Sequence, residues 1–272
     1  MYFCFFLLQQ QILFLLITKT KKMKQLVKEV LLKLLLSTAI FAVVVLFLYL
    51  CGLFNYKPIE KLGMTFSEEF QFALQIVSGI IGTAYVLVVK NPSNYLGFPL
   101  GIIMSLMLAF QFFIQGFPDE TILYVCVFVP CQIYTLITWI KGSKKSEQEP
   151  FMPTFLSMKG FLTGIAIFVV LIFADIFLLQ NKVMGNDINF PLVMSAIVVA
   201  ASTLANFLLI KKKTDAWFYW VLFSVAGAVQ LLYIGEWVSA TLFVLYIFIN
   251  GSACVAWCKQ TAKENRGWLL GK

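Results

Sequence analysis

The sequence contains a series of continuous apolar runs, each bounded by charged or turn-forming residues. About 20 apolar residues are what an α-helix needs to cross the hydrocarbon core of a bilayer. Only 12% of the residues are charged, whereas a soluble domain has about a quarter, and a membrane β-barrel would show alternating segments of about ten residues. The sequence therefore predicts an all-α membrane protein. Eight spans are expected at about 34–54, 71–89, 95–115, 121–140, 160–180, 190–210, 216–234 and 237–257.

Residues 1–33 form a separate N-terminal segment. Its short apolar part contains Gln9, Gln10 and Gln11 and is a poor span. Its lysines follow the apolar part, whereas a signal peptide has its charges first. Two explanations are open: translation begins at Met23 and residues 1–22 do not belong to the mature protein, which we favour, or they form an extra segment.

The lysines and arginines are distributed unequally between the loops. If the loops alternate between two sides, 18 of the 21 basic residues fall on one side. Loops rich in lysine and arginine stay in the cytoplasm. This pattern predicts eight crossings with both termini in the cytoplasm, and it explains the net charge of +8 without a nucleic-acid partner.

A pattern of three residues occurs twice, 118 positions apart: an aromatic residue, an amide four positions later and a tryptophan seven positions after that. These positions lie roughly on one face of a helix. Each copy belongs to a predicted span, so the pattern indicates an internal repeat. The copies are Phe128, Gln132 and Trp139, and Tyr246, Asn250 and Trp257.

The repeat predicts a 3+1+3 bundle. Two adjacent three-helix units would run in opposite directions through the membrane, and one linker helix makes them parallel. Parallel repeats are known in transporters, with the substrate at the interface between them, and 3+1+3 is the SWEET-type order. The expected parts are an extra helix at 34–54, a first repeat at 71–140, a linker helix at 159–180, a second repeat at 189–258 and a cytoplasmic tail at 259–272.

The two matched amides are the main candidate site. A polar side chain in hydrocarbon is costly unless it faces a partner or a wet cavity, so we expect Gln132 and Asn250 to face each other and bind a substrate. The alternative is that both are hydrogen bonds between helices. The candidate aromatic residues around the substrate are Phe128, Tyr246, Tyr124, Trp217 and Trp220. For the two tryptophans, a place in the interfacial belt is the alternative.

The sequence shows no motif for catalysis or for binding of a metal or cofactor. The chain has no histidine and no phosphate-binding G-x-x-x-x-G-K-[ST] motif, so we expect neither an enzyme nor a metal site or cofactor. Asp175 is the only acid well inside a predicted span, and it lies in the linker helix. We therefore expect transport without ion coupling. Glu120 and Glu236 are interpreted as solvated loop ends.

The motifs resemble those of the PnuC family of vitamin transporters over about 78–259. The resemblance rests on a basic loop followed by a W-x-x-W pair, at Trp217 and Trp220, and on shorter matches. The shorter matches are Ser78-Gly-Ile-Ile-Gly82, Val-Val-Lys90, Asn94-Tyr95-Leu-Gly97, Pro130-Cys-Gln132, Trp139 and Pro191. The resemblance implies uptake of nicotinamide riboside by facilitated diffusion across the bacterial inner membrane, with trapping by phosphorylation inside the cell.

The departures from the family pattern leave the vitamin open. Thr135 stands where the family has glycine, and Ser224 where it often has Asn or Asp. Leu192, Val193 and Met194 stand where an acid often follows the proline. Thiamine or riboflavin is the alternative substrate. A receptor or scaffold that does not transport is the alternative class, and a homo-oligomer is left open.

The predicted topology can be tested by cysteine labelling. We expect Asp119→Cys to react with a membrane-impermeant thiol reagent in intact cells and Lys145→Cys to be protected, both in a variant without native cysteines. The opposite labelling pattern would contradict the topology.

Overall fold

A computed structural model describes residues 21–50, 68–91, 94–115, 118–145, 153–177, 185, 187–235 and 237–269. Within these residues the regular elements are helical, apart from one isolated bridge between Thr154 and Lys213. The helices are α1 (Lys21–Leu50), α2 (Glu68–Val89), α3 (Gly97–Gln115), α4 (Pro118–Leu123), α5 (Val129–Lys145), α6 (Met158–Ala174), α7 (Phe190–Ile210), α8 (Ala216–Tyr233) and α9 (Trp237–Leu269); a π-helical turn (Tyr124–Phe128) joins α4 to α5.

Eight helical segments in the described residues are long and apolar enough to cross a membrane. They correspond to α1, α2, α3, the continuous α4–α5 segment, α6, α7, α8 and the first part of α9. The prediction of an all-α membrane protein is confirmed. The 3+1+3 relation between the repeats stays a prediction.

Both ends of the bundle differ from the expected boundaries. α1 begins at Lys21 rather than near 34, and α9 continues to Leu269 through the expected tail. Lysine and leucine are good helix formers, so the basic flanks of these apolar runs continue the helix. The question of where translation begins falls mostly on residues 1–20, which lie outside the described residues.

The helices pack in two groups. α2 packs on α3 and α3 on α5, whereas α7 packs on α8 and α8 on α9. α6 packs on α7, and the two groups meet where α9 contacts α2 and α5 contacts α7. These neighbours are the ones that two three-helix units with a linker helix would have.

The extra helix α1 is attached to α2 by specific contacts. Ser37 Oγ donates a hydrogen bond to the carbonyl oxygen of Ile80 at 2.6 Å, and the Glu29 carboxylate accepts one from Asn94 Nδ2 at 3.0 Å. The buried ring of Phe41 lies directly against Gly79. Because glycine has no side chain there, the two helices approach closely, as small residues allow in membrane proteins.

The end of the connector between the two groups is also attached. The polar stretch at 141–153, between the spans expected at 121–140 and 160–180, lies partly outside the described residues. After it, the backbone N–H of Leu156 donates to Asp215 Oδ2 at 2.7 Å. Thr154 exchanges backbone hydrogen bonds with Lys212 and Thr214 in the loop before α8. The linker helix is therefore fixed to the second group at the end where it begins.

We expect Gly79→Ala to lower the midpoint of thermal unfolding, because the added methyl group would overlap the Phe41 ring. Overpacking of this kind costs about 1–3 kcal/mol. Gly251→Ala is the matched control, since nothing lies within 4 Å of its added methyl group. Equal midpoints for the two purified variants would contradict this account of how α1 is held.

Candidate functional site

A cavity of about 150 Å³ lies between the two groups of helices and is partly open to solvent. Its lining comes from α2, α3 and the α4–α5 segment on one side and from α7, α8 and α9 on the other. A mostly apolar cavity between repeats with a few polar groups is the usual form of a small-molecule site.

Six of the seven predicted site residues line this cavity. Tyr124 and Phe128 come from the π-helical turn, Trp217 and Trp220 from α8, and Tyr246 and Asn250 from α9. Trp217 is 2% exposed and Trp220 is 8% exposed, so these two rings face the interior of the bundle rather than lipid. The seventh residue, Gln132, is not part of the lining.

The aromatic residues form one connected wall. The ring centroids of Tyr124 and Phe128 lie 4.6 Å apart, and Phe128 meets Trp220 edge to face at 5.8 Å. Trp220 in turn meets Phe223 at 5.4 Å. Both aromatic residues of the π-helical turn, Tyr124 and Phe128, are buried and line the cavity. Short π-helical turns inside α-helices are frequent at functional sites. This wall offers both faces and edges to a flat ligand.

Asn250 presents a polar group on that wall. Its Nδ2 donates to Ser224 Oγ at 2.9 Å and to the carbonyl oxygen of Trp220 at 3.3 Å. These bonds orient the amide, and its buried Oδ1 has no hydrogen-bond partner in the described part of the chain. An acceptor held in this way is available to a ligand.

Gln132 makes the corresponding contact in the first group but lies behind the wall. Ser105 Oγ is 3.4 Å from its Oε1 and donates to it, and the side chain is 1% exposed. The Gln132 side chain also lies against Gly101. The ring of Tyr85, which does line the cavity, lies against the same glycine. Gln132 therefore supports the wall in this structure, whereas the sequence predicted that it would face Asn250.

The tryptophans that end the two copies of the repeat meet each other. The rings of Trp139 and Trp257 lie 6.4 Å apart, and Trp257 also meets Trp217 at 5.6 Å. Trp257 Nε1 donates to the carbonyl oxygen of Lys90 at 3.0 Å. We call Trp139, Trp217 and Trp257 the tryptophan end of the bundle. These rings form a packed layer next to the cavity.

A lysine in the loop before α8 lies beside this layer. Lys212 Nζ is 5.7 Å from the centre of the Trp139 ring, within the range of a cation–π contact. Partial burial lowers the pKa of Lys212 to about 8. Its backbone has a positive φ of 57°, which is uncommon for a residue with a side chain, so the turn holds this lysine in a defined place.

The sequence model of one protein family, described as nicotinamide mononucleotide transporter, matches residues 72–259. The chain belongs to the nicotinamide mononucleotide transporter family. The matched range contains α2 to α8, most of α9 and the whole cavity lining. It agrees with the range of the resemblance to PnuC proteins, which is confirmed.

The fold is also similar to a solved structure. A protein described as the vitamin B3 transporter PnuC superimposes with a TM-score of 0.62 at 19% sequence identity, over 85% of this chain and 90% of that chain. At this identity the likeness shows the fold. No curated protein matches the sequence.

Sequence reasoning missed three polar residues of this transporter's cavity. Gln75 is 3% exposed, and neither of its amide atoms has a hydrogen-bond partner within the described residues. The same holds for Gln111 Oε1 and for the hydroxyl of Tyr85. The signal was present, since a glutamine inside an apolar span needs a reason. Gln111 corresponds to Gln230 at a spacing of 119 residues, a match that was missed, whereas Gln75 and Tyr85 have no matching residue at this spacing.

Glu120 was interpreted wrongly as a solvated loop end. α4 already begins at Pro118, and the Glu120 side chain is 5% exposed. Ser195 Oγ donates to Glu120 Oε1 at 2.9 Å, and Glu120 lines the cavity. Asp175 in the linker helix is therefore not the only buried acid, and the argument from a single acid for uncoupled transport is weaker than expected. The interpretation of Glu236 falls outside the described residues.

Proposed function

We propose that the protein imports nicotinamide riboside by facilitated diffusion, and that phosphorylation inside the cell traps the substrate. The observation that carries this proposal is the pairing of an aromatic wall with buried polar atoms that have no partner among the described residues. Asn250 Oδ1 is such an acceptor and Trp217 Nε1 such a donor, and both residues line the cavity. A transported molecule would have to satisfy both atoms, since unpaired polar groups are costly in a dry site.

Nicotinamide riboside has the matching chemistry. Its carboxamide N–H can donate to Asn250 Oδ1, and its carbonyl or a ribose hydroxyl can accept from Trp217 Nε1. Its flat pyridinium ring would fit against Phe128, Trp220 or Tyr246. A cation against an aromatic face contributes about 0.5–2 kcal/mol.

The lining favours the riboside over the mononucleotide after which the family is described. Side chains that hold phosphate groups in proteins are mostly arginine and lysine. Among the cavity-lining residues in the described ranges there is no arginine and no lysine. The substrate is therefore proposed to lack a phosphate.

Thiamine remains the alternative substrate, because its thiazolium ring would suit the same aromatic wall, and riboflavin is a further one. The location proposed is the bacterial cytoplasmic membrane with both termini inside, which rests on the distribution of lysine and arginine. The position of the unpaired polar atoms inside the cavity favours a transporter over a receptor or scaffold, which would need no polar path between its repeats.

Uptake into liposomes tests the proposed function. We expect purified protein in empty liposomes to equilibrate radiolabelled nicotinamide riboside, with no response to an imposed proton or sodium gradient. Liposomes that contain a riboside kinase and ATP should accumulate the label, because the product would carry a phosphate. Accumulation driven by an ion gradient in empty liposomes would contradict facilitated diffusion. A lack of uptake into both the empty and the kinase-containing liposomes would show that nicotinamide riboside is not the substrate.

The two amides should differ in their effect on binding. We expect Asn250→Leu to weaken riboside binding at least about tenfold, since loss of one buried hydrogen bond costs about 1–3 kcal/mol. Gln132→Leu should lower the thermal unfolding midpoint but change the dissociation constant less than about threefold, because Gln132 does not line the cavity.

Titration calorimetry on the two purified variants measures this difference. The variants are matched, since each replaces an amide that is hydrogen-bonded to a serine on the preceding helix of its group. Equal weakening by both would support the sequence-based hypothesis that both amides contact the substrate.

A further inference from the structure

The end of the cavity away from the tryptophan end is lined by several hydrogen-bonding side chains. α2, α4, α7 and α9 begin at this end, and α3 and α8 finish there. We call it the glutamate end and define it by Glu120 and the neutral residues Gln75, Gln111, Gln230 and Ser239, all of which line the cavity. The tryptophan end offers aromatic surface, whereas the glutamate end offers hydrogen-bonding groups.

Among the described residues, Glu120 is the one lining residue with an ionisable acidic or basic side chain of the Asp, Glu, Lys or Arg type. All the other cavity-lining residues in the described part of the chain are apolar or neutral and polar. When ionised, this carboxylate would place a negative charge at the cavity. Charge interactions are strong there, because the surrounding protein and lipid screen them much less than water does.

The carboxylate is held in place by the opposite group of helices. Glu120 lies in the first turn of α4, and Ser195, which donates to its Oε1 at 2.9 Å, lies near the start of α7. Both side chains are buried, at 5% and 4% exposure. The hydrogen bond joins the two groups of helices beside the cavity, so a molecule in the cavity lies near this carboxylate.

We propose that Glu120 selects substrates by charge, attracting molecules with a cationic ring and excluding molecules with a phosphate. This proposal rests on the proposed function, and it adds the charge of the substrate to the ring contacts and hydrogen bonds considered above. A fixed negative charge favours a pyridinium or thiazolium over a neutral ring of the same shape. It disfavours the same nucleoside once a phosphate is attached, which is how one group can provide both attraction and exclusion.

The selection can be tested with three probes that share one sugar and one carboxamide. They are nicotinamide riboside, which is a cation, its neutral 1,4-dihydro form, and nicotinamide mononucleotide, which carries a phosphate. For the purified wild-type protein we expect the cation to bind at least about tenfold more tightly than the neutral form, and the mononucleotide to bind most weakly. Similar affinities for all three would overturn the proposal without any variant.

Variants assign the effect to Glu120. Glu120→Gln keeps the size of the side chain and can still accept from Ser195, but it removes the charge. We expect it to reduce the preference for the cation over the neutral form to less than about threefold, with little change for the neutral form. Glu120→Asp is the matched control and should retain the preference because it retains the charge. An unchanged preference in Glu120→Gln, or equal weakening of both probes, would overturn the proposal.

Failure of the proposed function would give a different result. In that case the wild-type protein would bind none of the three nicotinamide probes. The charge selection would then be tested with thiamine against thiochrome, its neutral oxidation product, with the same expected preference and the same two variants. Equal binding of thiamine and thiochrome would overturn charge selection as well.

Discussion

The structure depends on the cost of leaving a polar atom without a partner in hydrocarbon. Many of the buried hydroxyls avoid this cost by bonding to a carbonyl of their own helix, as Ser202, Ser224 and Thr135 do. Amides have two polar ends and cannot be satisfied so simply. Three of the partly unpaired amides, Gln75, Gln111 and Asn250, border the same cavity, whereas Gln132 Nε2 has no partner in the described residues but lies outside the lining. The unpaired atoms inside the cavity therefore mark the proposed route of a polar substrate through an apolar bundle.

The shape of the cavity follows from where large and small side chains lie. Helices come close at small residues, such as Gly79 against Phe41 and Gly227 against Phe243, and α7 is rich in fully buried alanines. Close packing at these points is the main source of stability between membrane helices. The larger rings of Tyr124, Phe128 and Trp220 line the centre instead. There they keep the two groups apart and leave a space with flat aromatic walls.

The two copies of the repeat make similar contacts between helices, but they contribute different residues to the cavity. In both groups the amide meets a serine of the preceding helix, through Gln132 and Ser105 in one and Asn250 and Ser224 in the other. The two repeat tryptophans also meet each other. Yet only Asn250 reaches the cavity, and Glu120, the acid found in the lining among the described residues, belongs to the first group. A substrate that is not symmetric itself can use such differences, because its ring and its sugar need different partners.

The sequence by itself determined the class of the protein, because runs of about 20 apolar residues permit little besides membrane helices. It also indicated the family, through a basic loop and paired aromatic residues, and it placed Tyr124, Phe128, Trp217, Trp220, Tyr246 and Asn250 among the site residues. It could not show that Tyr85 lines the cavity whereas Gln132 does not, or that Glu120 meets Ser195, a residue 75 positions away. Those outcomes depend on how helices distant in the chain rotate and pack against each other. The periodicity of one helix does not contain that information, and only the tertiary structure decided it.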